Sequence, residues 1–141
     1  MPLTGIETRI HAALDARLMA LTLSPAVPIA WPNANYTPTG AYLRPWLLPV
    51  GVEPMTVSTD GANDYGGIYQ VSVFWPVGGG LLAPLEAASA IAAHFKRGTS
   101  LTRDGVVVQM LTPPVVETPI QEPDIYHIPV SVRYRAFVPN L

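Results

Sequence analysis

Apolar residues recur with two different periods along this chain, and the switches between them mark its elements. From Ile68 to Val77 the period is two, with Tyr69, Val71, Val73 and Trp75 on one face and a mixed set on the other. After Trp75-Pro76 and the triple glycine Gly78 to Gly80, the pattern turns helical. Leu81, Leu85, Ala88, Ala92 and Phe95 then follow at spacings of three and four. Gly66 to Gly98 therefore reads as one strand, one tight turn and one helix. An earlier helix is expected from Thr4-Gly5-Ile6-Glu7, a capping-box pattern in which the Thr4 hydroxyl and the Glu7 carboxylate satisfy each other's backbone N–H groups. Its stripe is Ile6, Ile10, Leu14, Leu18 and Leu21. Ser24-Pro25 should end it, because the residue before proline avoids helical angles.

Between the helices the chain reads as short extended pieces. Val27 to Trp31 is a first strand, and Pro32-Asn33-Ala34-Asn35 is turn chemistry. Ala41 to Leu48 is a second strand whose Pro45 lacks a ladder donor and so belongs at an edge or bulge. Val52 to Thr59 is a third. Asp60 to Gly67 is then a polar loop tip, expected to act as a contact-making arm. Beyond the second helix, Lys96 and Arg97 fall in its last turn and Gly98 at its end. Asp104-Gly105 between Ser100–Arg103 and Val106–Leu111 predicts a type I′ hairpin. Val115 to Glu122 is proline-broken and edge-like. In the last strand, Ile125 to Val138, the residues Ile128, Val130, Val132, Tyr134 and Ala136 face one way, and His127, Ser131, Arg133 and Arg135 face the other. Strands in groups, without strict βαβ alternation, place the chain in the α+β class, with two helices on one face of a largely antiparallel sheet. Residues 1–141 are expected to form one domain with an extended arm around 50–67.

Composition narrows the function classes. Charged residues make up 13% and the net charge is −2, so there is no broad basic field to hold nucleic acid. The chain has no cysteine, which removes disulfides and thiolate metal sites. No apolar run approaches the roughly 18 residues of a membrane span, and the first residues do not read as an export signal. A soluble, unexported chain is expected. Sixteen prolines favour short and edge strands. Apolar content of 49% with so few charges suggests that other subunits cover part of the surface.

The sharpest chemical motif is Gly78-Gly79-Gly80-Leu81-Leu82-Ala83, which matches the G-x-G-x-x-G/A dinucleotide fingerprint between a strand and a helix. The strand before it alternates, however, and no second βαβ unit follows. The glycines then serve as a hinge from strand to helix, and Gly79→Ala is expected to damage folding or assembly. His11, His94 and His127 have no metal-ligand spacing, and no serine sits in a G-x-S-x-G elbow. No catalytic residue, cofactor or metal site is assigned, and the chain is read as a non-enzyme. Asp60, Asn63 and Asp64 lack the spacing of a calcium loop and read as a solvated turn. Arg44, Arg133 and Arg135 form either a basic strip or a solvated sheet face. Asp60, Asn63, Asp64, Tyr65, Arg44, Arg133 and Arg135 are the candidate contacts with other subunits or partners.

Several segments in order carry a resemblance. They are the first helix, Ile29-Ala30-Trp31-Pro32-Asn33, Tyr42-Leu43-Arg44, and Gly66-Gly67-Ile68-Tyr69-Gln70-Val71-Ser72-Val73 with Pro76. The glycine turn, the helix ending in Phe95 and Tyr126-His127-Ile128-Pro129-Val130-Ser131-Val132 complete the set. Together they resemble the tail terminator-like proteins of long-tailed bacteriophages. The resemblance implies a small α+β protein of the virion tail, assembled in the host cytoplasm. It would form a hexameric ring at the head-proximal end, stop polymerisation of the tail tube protein and meet the head–tail connector or stopper. DNA would only pass through the ring lumen, and no membrane is involved. The alternatives are another head-closure or minor tail protein and, more remotely, a nucleotide-binding domain using the Gly78 to Gly80 turn.

Overall fold

The computed structural model describes residues 3–23, 26–59 and 61–139. Helix α1 spans Ile6–Met19 and buries Ile10, Ala13, Leu14 and Leu18, which is the stripe expected from the four-residue spacing. Its start differs from expectation. Gly5, with an extended backbone, is the N-cap and no side chain caps the helix. That moves Glu7 to the second helical position, so the reciprocal Thr4–Glu7 bonding of a capping box does not form. The helix also stops at Met19, before Ser24-Pro25, a pair that lies outside the described residues. Leu21 and Leu23 leave the helix but still pack on the core.

Strand β1 spans Tyr42–Pro54 and β2 spans Ala62–Pro76, paired antiparallel from Tyr42↔Phe74 to Pro54↔Asn63 with a register shift between Pro49 and Gly51. The two segments expected at Ala41–Leu48 and Val52–Thr59 thus run together through a bulge, and β2 begins at Ala62. Ala62 to Gly67 is therefore strand and not loop. The expected strand at Val27 to Trp31 is reduced to a parallel bridge between Ile29 and Leu43. Helix α2 spans Leu82–His94 and buries Pro84, Ala87, Ala88 and Ile91, with Phe95 at its C-cap. Its buried face is rotated from the expected stripe, because Leu81 and Leu82 stay exposed. Lys96 and Arg97 lie beyond its end, and Gly98 turns the chain with φ of +94°.

The remaining strands are β3 (Ser100–Arg103), β4 (Val106–Gln109), β5 (Val115–Val116), β6 (Ile120–Gln121) and β7 (Ile125–Pro139). Asp104 and Gly105 both have positive φ, +46° and +88°, as a type I′ hairpin requires. All seven strands form one antiparallel sheet ordered β1-β2-β7-β4-β3. β7 pairs with β2 along its whole length, and its other side holds β6, β5 and β4 in succession.

The core lies between the helices and one face of this sheet. Tyr69, Val71 and Val73 of β2 lie opposite Val132, Val130 and Ile128 of β7, all fully buried beneath Leu14, Leu18, Ala88, Ile91 and Phe95. Two polar ties hold the layer. Tyr69 donates its hydroxyl to Asp15 at 2.6 Å, and burial with the adjacent carboxylate pushes the phenol far above the ordinary tyrosine range. The helix ends also satisfy each other: His94 Nε2–H donates to the Arg17 carbonyl at 2.6 Å, and the Arg17 guanidinium donates to the His94 carbonyl at 2.7 and 3.1 Å.

Candidate assembly surface

The glycine turn does not have the geometry of a phosphate cradle. β2, which leads into it, is antiparallel to both of its neighbours, whereas a dinucleotide fold needs a parallel strand there. Gly78 and Gly80 adopt φ of +98° and +84° and make the bend, while Gly79 has no such angle and nothing within 4 Å of a Cβ placed on it. An alanine at position 79 would therefore meet neither a clash nor a strained φ, against the damage to folding the sequence suggested. The depression beside the turn is lined by Pro76, Val77, Leu81, Gln121 and Tyr126, without a cation to meet phosphate charge. The three histidines lie apart: His11 meets Asp15 at 3.3 Å, His94 ties the helices and His127 stacks on Phe74.

Polar and aromatic side chains of the helix-free sheet face make a second surface. Tyr42, Phe74 and His127, from three adjacent strands, stack in a row with centroid separations of 4.7 and 4.4 Å. Arg44 lies over Tyr42 at 5.8 Å, about four residues along the strands from the level of Arg133. That is on the order of 13 Å at the rise of a strand, so Arg44 does not join the other two arginines in a compact strip. Arg135 is ion-paired with Asp64 and sits over Phe137. Among the described candidates, the fold ion-pairs Asp64 with Arg135 and sets Arg133 beside Arg135 along one shallow depression. Asn63 and Asp64 are strand residues and not a solvated turn, Arg133 is exposed, and Asp60 lies outside the described residues.

Tyr65 leads to a third surface, on the segment expected as an arm, with an apolar groove that the sequence reading did not include. The β1–β2 hairpin turns between Pro54 and Ala62. Along it, Leu48, Val50, Val52, Met55 and Val57 are exposed, Val57 completely. At its base, Leu47, Val52, Tyr65 and Tyr134 face Glu7, Ile10 and His11 of α1 across an apolar groove of about 330 Å³. Gly67 allows this wall to form. A Cβ there would lie 2.7 Å from the Tyr134 ring and 2.8 Å from the Leu48 carbonyl oxygen.

The outer edge of this hairpin is closed to further strands in a specific way. Leu43 directs its N–H and C=O outward to Pro28 and Ala30, so alternation carries Pro45, Leu47 and Pro49 outward as well. Beyond the bulge at Val50, the Met55 N–H bonds inward to Ala62 at 2.9 Å, which carries Val52 and Pro54 outward. Pro45, Pro49 and Pro54 all stand where an N–H would otherwise face an incoming strand.

Comparison with known proteins adds what this geometry leaves open. No protein among the curated ones matches. A solved structure that carries no functional name is similar over 94% of this chain and 96% of its own, with 29% identity and a TM-score of 0.76. The family model described as phage tail terminator protein matches residues 9–134, from within α1 to within β7. The match takes in most of α1, all of α2 and the sheet strands as far as Tyr134 of β7, and the chain therefore belongs to the phage tail terminator protein family, a structural component of the virion tail.

Proposed function

We propose that this chain is the subunit of a ring, hexameric as the family resemblance suggests, that caps the finished tail tube at its head-proximal end. There it halts tube polymerisation and presents a surface to the head–tail connector, without a catalytic step. The family match over residues 9–134 carries this reading. The fold supports it with two unlike surfaces, a projecting apolar hairpin and a helix-free sheet face. A ring subunit needs unlike surfaces, because its contacts with its two neighbours are different. Light scattering on the purified chain, alone and with polymerising tail tubes, tests the reading. The expected result is a closed multimer, free or on tube ends, with tubes held to one length and competent to join heads. A chain that stays monomeric in both settings and leaves tube length unregulated would overturn it.

A further inference from the structure

The exposed apolar side chains of the β1–β2 hairpin are concentrated on one projecting element. Scattered exposed aliphatics need no explanation, but a cluster on an arm marks a contact. The closed edge limits what that contact can be. With Pro45, Pro49 and Pro54 facing outward, β1 offers an incoming strand three fewer donors, which favours recognition through side chains. Met55 to Thr59 are uncharged, so seating them on an apolar surface buries no charge provided the neighbouring Asp60 carboxylate stays in solvent.

The groove between α1 and the hairpin base is a surface of matching chemistry on the same chain. Its lining is Ile10, Leu47, Val52, Tyr65 and Tyr134, with Glu7 and His11 at the α1 side, and about 330 Å³ is room for aliphatic side chains. The chain's own tip does not line it. Pairing of β1 with β2 ends at Pro54 and Asn63, and Met55 and Val57 lie in the turn beyond, apart from the groove lining. A second copy supplies another tip. A tip and a groove at separate places on each subunit make a head-to-tail contact, the kind that closes into rings.

We propose that Val57 and Met55 of one copy insert into the groove between α1 and the hairpin base of the next copy. This rests on the ring reading and names the contact that would make the ring. The absence of cysteine permits a clean test. Val57→Cys chains are mixed with Glu7→Cys chains under mild oxidation, in free solution and on tail tubes. A disulfide-linked dimer is expected in the mixture and not in either variant alone. Val57→Asp should weaken assembly by roughly tenfold or more without changing the melting of the separated subunit, and Val57→Ile should restore it. If the parent chain forms a ring, but Val57→Asp assembles equally well and the mixture gives no cross-link, the contact is wrong and the ring stands. A Val57→Cys dimer formed alone would show tip-to-tip pairing and also overturn the proposal. A parent chain that never assembles removes both readings together.

Discussion

Gly67 lies where β2 passes beneath the Tyr134 ring, and a Cβ added there would fall 2.7 Å from a ring carbon and 2.8 Å from the Leu48 carbonyl oxygen. The carbonyl belongs to paired strand and cannot move aside without loosening β1. Gly67→Ala is therefore expected to cost about 1–3 kcal/mol of overpacking, read as a lower denaturant midpoint. Gly79→Ala should stay within about 0.5 kcal/mol of the parent, since that position has open space and an ordinary φ. The same experiment thus separates a glycine needed for close approach from one that only shares a turn. His127 supplies a pH dependence. Burial holds its imidazole below the ordinary value of 6.5, with Glu122 opposing, so the unfolded chain takes up a proton that the folded chain resists. Its contribution is complete above pH 6.5 and is lost as pH falls below it. Comparing denaturant midpoints at pH 7.5 and about 5.5, His127→Phe should keep the stack on Phe74 and lose stability less steeply than the parent.

Among the elements, β1 does the most with the least regular sequence. Thirteen residues carry three prolines, which in an inner strand would break the ladder, yet β1 keeps its full pairing with β2. Every proline sits at an outward position, so the inner ladder loses no donor and the outer edge loses three. Replacing Pro45 with Val and Pro49 and Pro54 with Thr should leave the β1–β2 pairing intact and open the edge. The expected consequence is concentration-dependent growth of species larger than the parent assembly, seen by light scattering; unchanged size at high concentration would show that the prolines do not guard the edge. The hairpin β3–β4 is simpler. Asp104 and Gly105 carry the two positive φ angles the turn demands, and the strands follow.

For the whole molecule, the arrangement divides into a core built by β2, β7 and the two helices and a hairpin that extends beyond it. The buried side chains lie almost wholly outside residues 48–61. Replacing residues 54–63 with Asn-Gly, so that Glu53 and Asp64 close a two-residue turn, should leave a cooperative unfolding transition within a few degrees of the parent. Assembly should be lost. A shortened chain that still builds the parent multimer would mean that subunit contacts lie on the helix-free face instead.

Sequence by itself determined the parts of this protein in which local chemistry and burial agree. Alternation in β2 and β7 marked the core face residue by residue, the spacing in α1 marked its stripe, Asp104-Gly105 marked its turn, and the ordered segments marked the family. In each case one side chain pattern answers to one nearby cause. Other features depended on neighbours distant in sequence. Ala62 to Gly67 is polar and glycine-rich and reads locally as loop, yet it is strand because β1 and β7 pair with it from both sides. The Thr4–Glu7 box was overridden by a helix start one residue later, at Gly5. The groove could not be read at all, since Glu7, Val52 and Tyr134 meet only once helix, hairpin and last strand are packed. Whether a proline faces inward or outward likewise depends on which side of β1 carries a partner, and that is a property of the assembled sheet.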